Sequence, residues 1–154
     1  MTRPGAYVLL FGLAQDEEIE VGRLGTVRFQ RGHYGYVGSA MGSGGLDARI
    51  ARHLRAEKNC HWHIDHLLAR ASVSGALELE TVTRIECALS DALDRGKAST
   101  TPVRGFGSSD CRCRSHLRYF GASDLDEDAA GRAARLAVLA APGLESGAWR
   151  AASG

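Results

Sequence analysis

The run Gly5-Ala6-Tyr7-Val8-Leu9-Leu10-Phe11 constrains the fold more than any other part of the chain. It is continuously apolar, rich in strand formers, and shows no polar alternation. A strand with one face in water would alternate, so this one is expected inside a sheet, covered on both sides. Pro4 bounds it before and the turn Gln15-Asp16-Glu17-Glu18 after. Ile19-Glu20-Val21 and Thr26-Val27-Arg28-Phe29-Gln30 do alternate, with Gly22 and Gly25 between them, which predicts an antiparallel meander. Tyr34-Gly35-Tyr36-Val37 continues the β character.

Helical spacing takes over further along. Residues 38–45, rich in glycine and serine, read as a flexible connection into a first helix from Leu46 to near Lys58. Leu46, Ile50 and Leu54 recur at four-residue spacing, and Asp47 stands in the first turn, where the helix dipole favours an acid. A second helix is expected over Ile64–Ala71, with Ile64, Leu67, Leu68 and Ala71 inward. Val73–Thr83 reads as a further short strand. Arg84–Arg95 reads as a third helix with Ile85, Leu89 and Leu93 inward and Gly96 as its cap. Gly105–Phe120 reads as a packed loop and a short terminal element. From Ser123 an appended helix is expected to end near Pro142, with residues 146–154 frayed. The class is α+β: one domain over 1–120 and a helical tail over 121–154.

Composition removes several function classes. At 154 residues, 44% hydrophobic and 24% charged, the chain has the balance of a soluble globular protein. No apolar run approaches the ~20 residues of a membrane span. The start Met1-Thr2-Arg3-Pro4-Gly5 lacks a cleavage-site pattern, so a cytoplasmic location with reduced thiols is expected. Of the four cysteines, Cys60 and Cys87 are isolated and Cys111 and Cys113 are one residue apart, which is no disulfide framework. The net charge of +1 divides into 16 basic against 13 acidic residues over 1–120 and 3 against 5 beyond. The basic part favours a polyanionic partner. The glycine-rich stretch has neither the Gly-Lys-Ser/Thr ending of a phosphate loop nor a G-x-G-x-x-G, so nucleotide cradling is not expected.

Two short tyrosine motifs, Gly5-Ala6-Tyr7 and Tyr36-Val37-Gly38, with Arg49 downstream, resemble the GIY-YIG nuclease superfamily. His61-Trp62-His63-Ile64-Asp65, Glu86-Cys87 and Gly105-Phe106-Gly107-Ser108-Ser109-Asp110-Cys111-Arg112-Cys113-Arg114-Ser115-His116-Leu117 look like its Uri-type branch. The likeness runs from about Gly5 to Phe120. It implies a GIY-YIG-like small antiparallel sheet, three core strands plus a hairpin extension, flanked by helices. It also implies an endonuclease that hydrolyses phosphodiester bonds of DNA, single-stranded, branched or damaged forms among them, using Mg²⁺ or Mn²⁺, and it leaves RNA open. Its catalytic residues fall on Tyr7, Tyr36, Arg49, His53 and Glu86, with the metal on Glu86. Ser39 stands where some members carry a basic residue, and the polar residue that some place after the Glu helix has no counterpart.

The residues make chemical sense by themselves. Phosphodiester hydrolysis builds negative charge in its transition state, so a site needs a metal, a cation and a proton acceptor. Glu86 offers a hard oxygen ligand, and Mg²⁺ requires only one or two carboxylates. Arg49 and His53, at i and i+4, share a helix face about 5–6 Å apart. Arg49 can fork onto two phosphate oxygens, and His53 can orient water or protonate the leaving oxygen. The resemblance favours Tyr36 over Tyr7 as the base. Ser39, His63, Asp65, Ser109 and His116 are expected to brace the site or touch substrate. Cys60, Cys111, Cys113 and His116 offer a zinc set. Two rival readings stay open: a non-catalytic nucleic-acid-binding module of the same fold, and a zinc-stabilised structural domain.

Overall fold

The computed structural model describes residues 2–55, 59–95, 100–108, 113–122 and 148–151. Along them run β1 (Gly5–Leu13), β2 (Glu17–Glu20), β3 (Thr26–Phe29), β4 (Gly32–Ala40), α1 (Gly45–Leu54) and α2 (His63–Leu68). They are followed by β5 (Ser72–Glu80), α3 (Glu86–Arg95), β6 (Leu117–Gly121) and β7 (Ala148–Ala151). The main sheet has the order β6-β4-β1-β5-β7, with antiparallel neighbours throughout. β2 and β3 pair as a separate hairpin. The class is α+β, as expected.

The unbroken apolar run is the middle strand, and its two faces enter two cores. Tyr7, Leu9, Phe11 and Leu13 pack with Tyr34, Tyr36, Leu46, Ile50, Ile64 and Leu67, beneath α1, α2 and the hairpin. Ala6, Val8 and Leu10 pack with Val37, Leu77, Leu79, Leu89 and Leu93, beneath α3. Each fully buried Leu or Phe is worth about 1.5–3 kcal/mol, so a run without alternation gains most between two layers. Arg3 ties α1 to β5 through Asp47 at 2.8 Å and Glu78 at 3.2 Å.

Several expectations are corrected. Residues 38–40 are not a linker: they belong to β4 and pair with Gly5, Ala6 and Tyr7. Within the described residues α1 ends at Leu54, with Arg55 extended, and residues 56–58 lie outside the described chain. Leu54 is 41% exposed while His53 is buried. At 3.6 residues per turn, position 53 lies about 20° from the line of Leu46 and position 54 about 80°. The imidazole therefore takes the inward place assigned to the leucine. The segment read as a short strand at 73–83 is the nine-residue β5, an interior strand between β1 and β7. Residues 148–151, expected to fray, pair with Gly75–Glu78, whose outer edge would otherwise present unpaired peptide groups. The helix expected from Ser123 and the Gly96 cap lie outside the described residues. Among the described residues no helix is long and apolar enough to cross a membrane.

Candidate active site

Strand register brings the two tyrosines together. Tyr7 lies opposite Gly38, and Tyr36 opposite Leu9, on neighbouring strands. Side chains alternate along a strand, so both phenols emerge on the α1 side of the sheet. Gly38 is required by this packing, since a Cβ there would overlap the Tyr7 ring. Gly107 closes the other flank: with φ +69 and a virtual Cβ 2.8 Å from the Tyr36 ring, it lets the loop before β6 lie against that phenol.

α1 contributes the next two groups. Its Arg49 donates from Nη1 to the Ser39 carbonyl at 2.9 Å and lies 4.4 Å from the centroid of the Trp62 ring. Arg52 contacts the same ring at 4.2 Å, so the indole fixes two guanidinium groups. His53, one turn beyond Arg49, is 2% exposed and shares a 2.6 Å hydrogen bond between Nε2 and the Tyr7 hydroxyl. Burial pushes the Tyr7 phenol far above its ordinary pKa, Tyr36 adds to this, and the Arg49 guanidinium only partly opposes it.

Three of the residues expected to brace the site or touch substrate, Asp65, His63 and His116, tie together the segments around it. Asp65 accepts two hydrogen bonds from Arg52, at 2.8 and 3.0 Å, and one each from the backbone N–H groups of His61 and Trp62. It thereby caps α2 and anchors the chain that carries Trp62. Burial alone would raise its pKa; the Arg52 guanidinium and the two N–H groups outweigh that and hold it at about 2. His63 Nδ1 accepts the Gly107 N–H at 2.9 Å, and burial, with His66 nearby, lowers its pKa. The His116 backbone donates to Phe106 and accepts from Val37, both at 2.9 Å, which ties the loop to β4.

Tyr7, Tyr36, Arg49 and Glu86 line one cavity of about 350 Å³, together with Ser39, His63 and His116. His53 and Asp65 stand outside its lining, His53 behind Tyr7 and Asp65 behind Trp62. His61 lines it too, as do Trp62 and Arg84, which were not singled out as site residues. A tryptophan between two histidines, downstream of a basic helix, was the available signal. Ser109 and Cys111 lie outside the described residues.

Glu86 opens α3, which covers the opposite sheet face, yet its carboxylate reaches this cavity. Its Oε2 is buried and has no hydrogen-bond partner among the described residues, while Oε1 lies 3.8 Å from Arg84. A buried carboxylate oxygen without a donor is costly unless a cation meets it. A hard divalent ion is the cation that suits a lone carboxylate completed by water, and Glu86 fits Mg²⁺ or Mn²⁺. The zinc set requires correction: Cys60 is exposed and outside the Cys/His cluster of the described residues, which consists of Cys87, Cys113 and His116.

The family model for a domain of unknown function, DUF123, matches residues 6–137. No curated protein and no solved structure matches the chain.

Proposed function

The chain belongs to the DUF123 family, and we propose that this member is a divalent-metal-dependent endonuclease of the GIY-YIG kind, acting on DNA. The observation carrying the reading is the convergence of Tyr7, Tyr36, Arg49 and Glu86 on one cavity in which a buried Glu86 oxygen has no donor among the described residues. A Mg²⁺ or Mn²⁺ ion on Glu86 supplies positive charge where the phosphoryl oxygens become more negative.

The chain's own groups divide the remaining work. Arg49 grips the scissile phosphate, already oriented by the Ser39 carbonyl and the Trp62 face. Tyr36, beside the Gly107 backbone, accepts the proton of the attacking water as its phenolate, the form that a neighbouring cation favours, and becomes the neutral phenol. Tyr7 is suited to a different task. Its phenol resists ionisation in its buried position and is held by His53, so it orients water and phosphate as a neutral hydrogen-bonding group. His53 is accordingly a positioning residue. Arg84, exposed at the rim, offers a second contact to the sugar–phosphate chain.

The test is incubation of the purified chain with single-stranded, duplex and branched DNA and with RNA, under Mg²⁺ or Mn²⁺. Cleavage is expected to stop with EDTA and to fall by ~10²–10³-fold in Glu86→Gln, the scale of losing a principal charge-stabilising group. Cleavage that survives both treatments overturns the metal assignment. Salt-sensitive binding without turnover, whatever divalent ion is supplied, overturns the enzyme in favour of a binding module.

A further inference from the structure

We propose that Cys87, Cys113 and His116 form a zinc site that staples the first turn of α3 to the chain entering β6, separate from the Glu86 cation. The three donor atoms lie within 4.8 Å of one another. Zinc bonded at about 2.3 Å to thiolate and 2.0–2.1 Å to imidazole needs its ligands roughly 3.5–3.8 Å apart, so small side-chain rotations close the set. Two thiolates with an imidazole are a soft donor set that selects zinc over Mg²⁺ or Mn²⁺. Three protein donors leave one tetrahedral position for water or a further donor.

The surroundings are built to hold this geometry. Ser90, one turn beyond Cys87 on α3, donates from Oγ to the Ser115 carbonyl at 3.1 Å. Ser115 in turn donates from Oγ to the Phe106 carbonyl and accepts from the Leu117 N–H. Helix and loop are thus already joined by polar contacts next to the ligands. His116 lines the candidate active site, whereas Cys87 and Cys113 line a second cavity of about 480 Å³. The ion would sit in the wall between the two. Cys87 directly follows Glu86, so fixing the one fixes the other. One turn of helix then presents a hard oxygen to one cavity and a soft sulfur to the other.

The test uses the full chain, purified without chelator under reducing conditions and measured without nucleic acid, so its result is independent of cleavage. Elemental analysis is expected to give about one zinc per chain. Replacement by Co²⁺ is expected to give a thiolate-to-cobalt charge-transfer band and the strong visible bands of a tetrahedral ion. Cys87→Ser and Cys113→Ser should each weaken cobalt binding by more than ~100-fold, beyond what loss of an outer-shell contact costs, while Cys60→Ser leaves the band unchanged. If a ligand variant fails to fold, thiol alkylation of the unaltered chain decides: zinc should protect Cys87 and Cys113 and leave Cys60 reactive. Zinc below about a tenth of an equivalent without a cobalt band, a band persisting in the double serine variant, or equal alkylation with and without zinc overturns the proposal.

Discussion

Gly38 and Tyr36 show how differently single residues carry this site. Gly38 contributes no group to chemistry, yet its missing Cβ is the space the Tyr7 ring fills. Gly38→Ala is expected to cost about 1–3 kcal/mol through overpacking and to displace Tyr7, read as a lower melting temperature together with lower kcat. Tyr36→Phe removes one oxygen without changing the packing. It should lower the melting temperature by no more than a few degrees, the scale of one hydrogen bond, while lowering kcat by ~10²–10⁴-fold, the range for general acid–base catalysis. Unchanged turnover in that variant would remove Tyr36 as the base. At this scale the motifs in the sequence were informative: Tyr7, Tyr36, Arg49 and Glu86 share one cavity. Trp62, Arg84 and Cys87 were harder to find because their significance is relational. Nothing in linear spacing says that an indole lies against two arginines, or that a cysteine on α3 faces two donors from the segment before β6.

α2 and the loop it supports behave as a unit whose stability depends on pH. The Asp65 side chain is fully buried and paired with Arg52, so removing it leaves that cation without its counterion. Asp65→Ala is expected to cost ~3 kcal/mol by chemical denaturation, at the lower end for a broken buried pair because Arg52 keeps some solvent contact. The folded pKa of Asp65 is depressed from 3.8 to about 2, so its stabilisation is complete above the unfolded value and is lost as pH falls through the folded one. His63 acts in a higher range. Its folded pKa lies below 6.5, so the unfolded chain binds the extra proton first, and stability declines as pH drops from 6.5 toward the folded value. Protonation also removes the acceptor for the Gly107 N–H. Hydrogen exchange at Gly107 should accelerate across that window in the native chain and lose its pH response in His63→Gln, beyond the intrinsic change. Element types were legible from periodicity. Their ends were less so, because pairing with β1 extends β4 through residues that look like linker, and a polar imidazole occupies a core position of α1.

Across the whole molecule, β7 covers one margin of the main sheet and β6 forms the other. Removing residues 148–154 uncovers the margin of β5, which should produce concentration-dependent self-association by light scattering; a monomer at every concentration would argue against that role. The pairing was invisible in the sequence because only β5 makes a place for so short a strand. Net charge is also a whole-molecule property. At +1, the chain has little general attraction for polyanions, so affinity should come from a few cations at the cavity, chiefly Arg49 and Arg84. The salt slope of DNA binding should then correspond to only ~2–3 phosphates, and fall by about one in Arg84→Ala. The register of β1 against β4 has a further consequence, which is one of parity. Both phenols require odd and even positions to keep their sides of the sheet, so a single-codon insertion or deletion within either strand turns one ring into the opposite layer. The excursion between those strands obeys no such rule. At its tip Gly22 and Arg23 are exposed, whereas Leu24 packs against the core near Gly105, so the Gly22–Arg23 bond offers a splice point where a tag or a whole guest segment enters without disturbing the chemistry.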